Sequence, residues 1–304
     1  MPGELRIARR PTLDRPVLIA AFRGWNDGGQ AASLAAGYLA KVWDADRFAD
    51  VDPEGFFDFQ ATRPHVSLVE GMTRRIDWPE NALYHASPDG LGRDAVLLIG
   101  VEPNLRWRTF SSLIVGFANE LGVDLVVTLG ALLADVPHTR PSPVTGSASD
   151  AELVERLGLK VSRYEGPTGI VGVLHDACRR EGIDSASLWA AVPHYVSLAP
   201  SPRAALALCE RLGTLLGTEI DTAELEETVD SYTQQVSDAV ASDSETVAYV
   251  EELEQRAEDD EEEEEETREI DESDLPSGEA LAAELTRFLE ERESGNGTPP
   301  PGEG

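Results

Sequence analysis

Twice in this chain an apolar run ends abruptly in Val-Pro-His: residues 125–140 read LVVTLGALLADVPHTR and residues 187–196 read SLWAAVPHYV. Neither run alternates apolar with polar residues, which is the pattern of a strand buried on both faces of a parallel sheet. Proline then removes a backbone donor and stops the strand. After Asp135, the prolines Pro137, Pro141 and Pro143 forbid continuation as helix or ladder, so a rigid loop carries Asp135, His138 and Arg140 off the strand's carboxyl end. The second exit carries His194 and Tyr195. If the two strands lie parallel in one sheet, both imidazoles leave the same edge, the edge at which open α/β sheets bind ligands.

The rest of the chain alternates in the same way. PVLIAAF (16–22) predicts a first buried strand, followed by Arg23, Trp25 and Asp27 and an alanine-rich helix that Asp27 is placed to cap. Gly24, Gly28 and Gly29 match neither GxGxxG nor GxxxxGK[ST], so they predict a tight turn rather than a phosphate cradle. Residues 48–86 predict short, partly antiparallel strands at GFFDFQ, HVSLVE, RRIDW and ALYHA. AVLLIGV (95–101) predicts a third parallel strand, and 107–122 a helix stopped by Gly122. GPTG (166–169) precedes a helix containing His175, with Thr168 as its expected cap, and a further helix closes at Gly217. Strands alternating with helices predict an α/β fold, a mostly parallel sheet flanked by helices in three layers, over residues 1–218.

Charge divides the chain differently. The net charge is −32, and residues 219–304 hold 31 acidic and 4 basic residues, so the acidity belongs to the end of the chain. Residues 219–257 predict a helical extension of two helices, about 222–240 and 244–258. Each begins at a capping-box spacing, Asp221 with Glu224 and Ser242 with Glu245. Residues 258–304 predict an acidic, mostly disordered tail. Near 278–292 it holds a short amphipathic helix whose stripe of Leu281, Leu285, Phe288 and Leu289 is a candidate partner-binding face.

This charge argues against nucleic acid and anionic membrane as partners, since both need a basic face. No stretch approaches the ~20 apolar residues of a membrane span, and no signal peptide is expected. Cys178 and Cys209 stand alone, without metal-ligand spacing, and predict free, buried thiols. A cytoplasmic protein without metal or cofactor is expected.

GxSxG, HExxH, the Walker loop and cysteine clusters are all missing. What remains is one expected cluster: Arg23, Trp25, Asp27, Asp135, His138, Arg140, Thr168, His194 and Tyr195. Its acids, imidazoles and guanidinium groups have the chemistry for general acid/base work on an anionic substrate. They have equally the chemistry to brace loops by satisfying one another. No residue is assigned as catalytic, and both uses stay open.

Four segments carry a resemblance: RPVLIAAFRGWNDGGQAA, TLGALLADVPHTRPSPVTG, GPTGIVGVLHDAC and SLWAAVPHYVSLAPSPRAALAL. Together they resemble the PAC2 family, named after proteasome assembly chaperone 2, in its actinobacterial form. The resemblance implies a three-layer fold similar to the phosphorylase/hydrolase-like fold of purine nucleoside phosphorylases, and a homo-oligomer. It implies protein partners, proteasome subunits among them, and a non-enzymatic role. The alternative is a small-molecule enzyme or binder, nucleoside phosphorylase-like or carboxylate-amine ligase-like, using the carboxyl edge. Archaeal relatives dock on proteasome α-rings through a hydrophobic-Tyr-X ending. This sequence ends PPPGEG instead, which leaves the globular face or the helical extension as the expected contact.

Overall fold

The computed structural model describes residues 4–69, 73–148, 151–161 and 165–269, without the side chains of 160–161 and 260–269. In chain order the strands and α-helices are β1 (Leu5–Ile7), β2 (Val17–Arg23), α1 (Ala31–Val42), β3 (Asp46–Val51), β4 (His65–Val69), β5 (Thr73–Asp77), β6 (Asn81–Ala86), β7 (Ala95–Val101), α2 (Trp107–Leu121), β8 (Leu125–Ala134), β9 (Val144–Ala148), α3 (Ala151–Leu157), β10 (Lys160–Val161), α4 (Ile170–Glu181), β11 (Asp184–Pro193), α5 (Pro202–Leu216), α6 (Ala223–Val240) and α7 (Ser244–Glu269). One sheet runs in the order β1-β3-β6-β7-β2-β8-β11-β9-β10, while β4 and β5 pair only with each other. The centre, β7-β2-β8-β11, is parallel. Antiparallel β6, β3 and β1 extend it on one side and β9 on the other.

The period of two explains why β2 is central. Val17, Ile19 and Ala21 pack among residues of α1 and α5, while Leu18, Ala20 and Phe22 pack among residues of α2 and α4. Both faces are therefore covered, giving three layers. On one face, Ala31, Ala32, Ala35 and Ala36 of α1 meet Ala204 and Ala205 of α5 within one apolar cluster, so small side chains let these helices lie close to the sheet. On the other, Phe110, Ile114, Phe117 and Ala118 recur at helical spacing along α2. The Phe110 ring meets Phe22 and Phe56 edge-on, with centroids 6.0 and 5.4 Å away. Within the sheet, Gly130 lies opposite Trp189, and a side chain there would meet the indole at 2.6 Å.

Several local expectations change. GFFDFQ is not a strand: Pro53–Gly55 form a 3-10 turn, and Phe56 and Phe57 are buried as anchors of a loop. β1, β3 and β9 were not legible, because each is short and pairs at or near the sheet's margins. Gln30, not Asp27, occupies the N-cap position of α1, yet Asp27 still serves that helix. Its Oδ1 accepts from the N–H groups of Ala32 (2.8 Å) and Ser33 (3.3 Å) across an intervening 3-10 turn. The cap of α7 is Asp243, which accepts from Glu245 N–H at 3.2 Å, whereas Ser242 turns back to donate to Ala239. α7 itself continues past 258 as helical backbone to Glu269. Residues up to Glu254 form one compact unit, so α6 and the first turns of α7 belong with the sheet, and residues from Gln255 form a second. Leu281, Leu285, Phe288 and Leu289 lie outside the described residues.

Cys178 and Cys209 are buried and free, and burial pushes both thiols up to about 12, far from reactive thiolates. No helix among the described residues is long and apolar enough to cross a membrane.

Candidate functional site

β8 and β11 pair in parallel over their whole lengths, from Leu125↔Asp184 to Ala134↔Pro193, so their exits emerge side by side. His194 stays tied to β8, its N–H donating to the Ala134 carbonyl at 3.1 Å. The Tyr195 hydroxyl then reaches the other loop: it accepts the His138 backbone N–H at 2.8 Å and lies 2.8 Å from His138 Nδ1. The phenol oxygen, with one proton and two lone pairs, serves both contacts at once. His138 Nε2 in turn lies 3.1 Å from Ser237 Oγ of α6, a hydrogen bond. Both ring nitrogens of His138 are thus occupied from within the chain.

Burial holds His138 below its ordinary pKa; Glu254 of α7 pulls the other way and Arg203 adds to the depression. The same burial pushes Tyr195 up to about 12, so both groups are neutral near pH 7. Tyr249 of α7 closes the group with its ring 5.6 Å from His194 and 5.9 Å from Tyr195, and Thr139 donates to Glu254. Outside this cover, His194 Nδ1 and Asp135 Oδ1 form an exposed pair at 3.1 Å. Arg140 is half-buried two residues beyond His138.

The residues leaving β2 form a separate group. Asp27 is consumed by α1, with Ser33 also donating to its Oδ2; desolvation raises its pKa against those hydrogen bonds. Arg23 is exposed, its guanidinium near enough to Asp27 to favour the carboxylate, and Trp25 is 67% exposed. A side chain at Gly28 would crowd Ala131 and Leu132 of β8 at 3.2 Å and one at Gly29 would crowd Val192 of β11 at 3.0 Å, so the turn packs closely on both strands. Thr168 is exposed and caps nothing. Glu102 takes that place: its Oε1 accepts from Ile170 N–H (2.8 Å) and Asn26 Nδ2 (3.1 Å), and its Oε2 from Trp25 N–H (3.3 Å). Glu102 directly follows β7, a strand of the same parallel set, so its place on this edge was legible though its partners were not. No group of three or more His, Cys, Asp or Glu among the described residues is placed to hold a metal.

The expected single cluster therefore divides in two. Tyr195 holds His138 under α6 and α7 and leaves the Asp135–His194 pair outside, and Glu102 organises the β2 exit against α4. Around both, large apolar side chains stand exposed at the carboxyl ends of the parallel strands: Trp25 after β2, Leu105 after β7, Leu132 and Leu133 at the end of β8, and Leu198 after β11.

A profile of the PAC2 family matches residues 21–240, most of the chain. The chain belongs to the PAC2 family. A PAC2 family protein of Streptomyces avermitilis is 48% identical, with 77% of this chain and 99% of that one covered and a TM-score of 0.72. A Mycobacterium tuberculosis homologue of a proteasome-assembly chaperone is 46% identical over the same shares, with a TM-score of 0.70. An archaeal proteasome activator of Pyrococcus furiosus, 20% identical over 77% of this chain and 97% of its own, shares the fold at a TM-score of 0.63. No match was found among the curated proteins. The segments that resembled PAC2 in the sequence build the exits of β2, β8 and β11, while Glu102, Ser237, Tyr249 and Glu254 lie outside them.

Proposed function

We propose that this PAC2 protein is a non-enzymatic, cytoplasmic, homo-oligomeric chaperone that binds protein partners during assembly, with proteasome subunits as its clients. The observation that carries this reading is the occupation of His138. A general base must lie within hydrogen-bond reach of substrate, and His138 is 4% exposed beneath α6 and α7 with its ring nitrogens turned to Tyr195 and Ser237. What the carboxyl edge offers outward is apolar: Trp25, Leu132 and Leu133 are large exposed side chains of the kind that anchor protein interfaces. The identity to a proteasome-assembly chaperone homologue supports the choice of client. In this reading residues 1–218 are the PAC2 domain, 219–257 cover its edge, and the tail stripe of Leu281, Leu285, Phe288 and Leu289 is a second partner-binding segment.

One observation favours the alternative of a small-molecule enzyme or binder. The Asp135–His194 pair is open to solvent and Arg23 is exposed at the end of β2, groups whose chemistry suits an anionic substrate. Two measurements separate the readings. Adding the protein to purified proteasome α- and β-subunits should accelerate assembly of the particle, while a thermal-shift panel of nucleosides, phosphate and amino acids should leave its melting unchanged. Unchanged assembly together with stabilisation by one of those small molecules would overturn the chaperone reading.

A further inference from the structure

The β4–β5 hairpin stands apart from the main sheet, paired only with itself. Its register sets Val66 opposite Ile76 and Leu68 opposite Arg74. Opposed residues, and residues two apart along a strand, share a face. One face therefore carries Val66, Leu68, Ile76 and Arg74, and the other carries Ser67, Arg75 and Asp77. The polar groups of the second face satisfy one another: Ser67 Oγ donates to Asp77 Oδ2 at 2.9 Å and Arg75 Nε to Asp77 Oδ1 at 2.7 Å, with Val69 the one large apolar residue there. The first does not. Val66, Leu68 and Ile76 are 61, 63 and 53% exposed, and neither Arg74 nor Arg63 makes a hydrogen bond or ion pair among the described residues. Trp78, packed on Phe59 with centroids 4.7 Å apart, adds to the exposed apolar surface just beyond β5.

A two-stranded hairpin alone in water is marginally stable, and unpaired apolar strands are templates for another chain. This hairpin is thus left needing a cover, and charge selects what covers it. Two copies that each carry −32 repel one another, so they can meet closely only where that charge is locally reversed. The stretch 63–78 is such a place, holding Arg63, Arg74 and Arg75 against two acids. Carboxylates offered to an unpaired arginine on an apolar face are what another copy of this chain supplies, with 57 acidic residues against 25 basic ones. We propose that the Val66–Leu68–Ile76 face of the β4–β5 hairpin, with Arg74, is the surface on which a second copy of this chain docks. The inference rests on the homo-oligomeric part of the proposed function and not on its chaperone part. Three aliphatic side chains fall short of the roughly 800 Å² per partner of a standard interface, so the hairpin is the anchor of a larger contact.

The test is the solution mass of the full chain by light scattering after size exclusion, with far-UV circular dichroism as the control for folding. Wild type should run as a multiple of 32.9 kDa. The double variant Val66→Asp, Ile76→Asp should lose that mass, associating at least ~10-fold more weakly, while keeping the wild-type spectrum. Arg74→Glu, which leaves the aliphatic residues in place, should weaken association in the same direction, and it decides the matter if the double variant misfolds. If wild type assembles and Arg74→Glu and any folded double variant keep its mass, the hairpin inference is wrong while the homo-oligomer stands. A monomeric wild type would sink both.

Discussion

The Tyr195 hydroxyl is bonded twice to His138, once to its backbone N–H and once to Nδ1, each at 2.8 Å. The two residues stand 57 positions apart in the chain, and one phenol oxygen locks the exit loop of β8 to that of β11. Tyr195→Phe keeps the ring and removes only this oxygen, leaving a buried N–H and a buried ring nitrogen without partners. We expect a loss of about 1–3 kcal/mol, read as a fall in melting temperature of about 2–4 °C per kcal/mol for a chain of this size. An unchanged melting temperature would show that the lock carries no stability.

The double substitution His138→Ala, Arg140→Ala acts on the same loop. It should destabilise the fold by a comparable amount, of order 1–3 kcal/mol, because the phenol of Tyr195 and the hydroxyl of Ser237 lose their imidazole partner. If melting is unchanged and a measured turnover disappears, the cluster is catalytic and bracing is the wrong account.

Glu102→Ala strips an acceptor from Ile170 N–H, Asn26 and Trp25 N–H at once. About 2 kcal/mol should be lost, with Glu102→Gln intermediate because its amide oxygen, in the place of Oε1, can still serve Ile170 N–H and Asn26 but not Trp25 N–H. Equal melting of Glu102→Ala and wild type would contradict this.

The parts of this site that were legible are those set by local sequence. Proline after a β-branched run ends a strand wherever the chain goes next, so both Val-Pro-His exits could be placed before their neighbours were known. Asp27 could be assigned to the first helix because its partners lie five and six residues away. Glu102 could not: its partners Asn26 and Ile170 are 76 and 68 residues distant, and a lone Glu after a strand has no periodic signature. For the same reason the cover over His138 was invisible. Ser237, Tyr249 and Glu254 come from helices whose own patterns show only that one face is apolar, not what that face covers. The hairpin strands β4 and β5 were read, but their exposure follows from the absence of a covering element, which no window of sequence reports.

Burial pushes His175, hydrogen-bonded to Thr128 Oγ1 at 2.9 Å, down to about 4, and holds His138 below its ordinary value as well. Both are neutral in the folded protein, whereas the unfolded chain takes up these protons near the ordinary pKa of 6.5. Their stabilising contribution is therefore complete above about pH 6.5 and is lost as pH falls from there towards about 4. At about 1.4 kcal/mol per unit, His175 accounts for ~2 kcal/mol after allowance for its partial exposure. Melting curves between pH 7.5 and 4.5 should fall more steeply for wild type than for His175→Gln; parallel curves would contradict the assignment.

Truncation after Ala257 removes the acidic run and the stripe of Leu281, Leu285, Phe288 and Leu289. The melting temperature should change by less than ~1 °C, because residues up to Glu254 form a compact unit of their own. Unfolding of the truncated chain would make the tail structural. Phe288→Ala in the full chain should reduce capture of partners, and an unchanged set of partners would remove the stripe as a binding segment.

The central claim is that the carboxyl edge of this PAC2 protein meets proteins, not small substrates. Affinity capture from native extract, quantified by mass spectrometry, tests it most directly when wild type is set beside Trp25→Ser, Leu133→Ser, both exposed positions. Proteasome subunits should be enriched by the wild type and reduced at least ~10-fold by the variant, with its melting unchanged. Recovery of the same proteins in equal amounts by both, or of no proteasome subunit by either, would contradict the account.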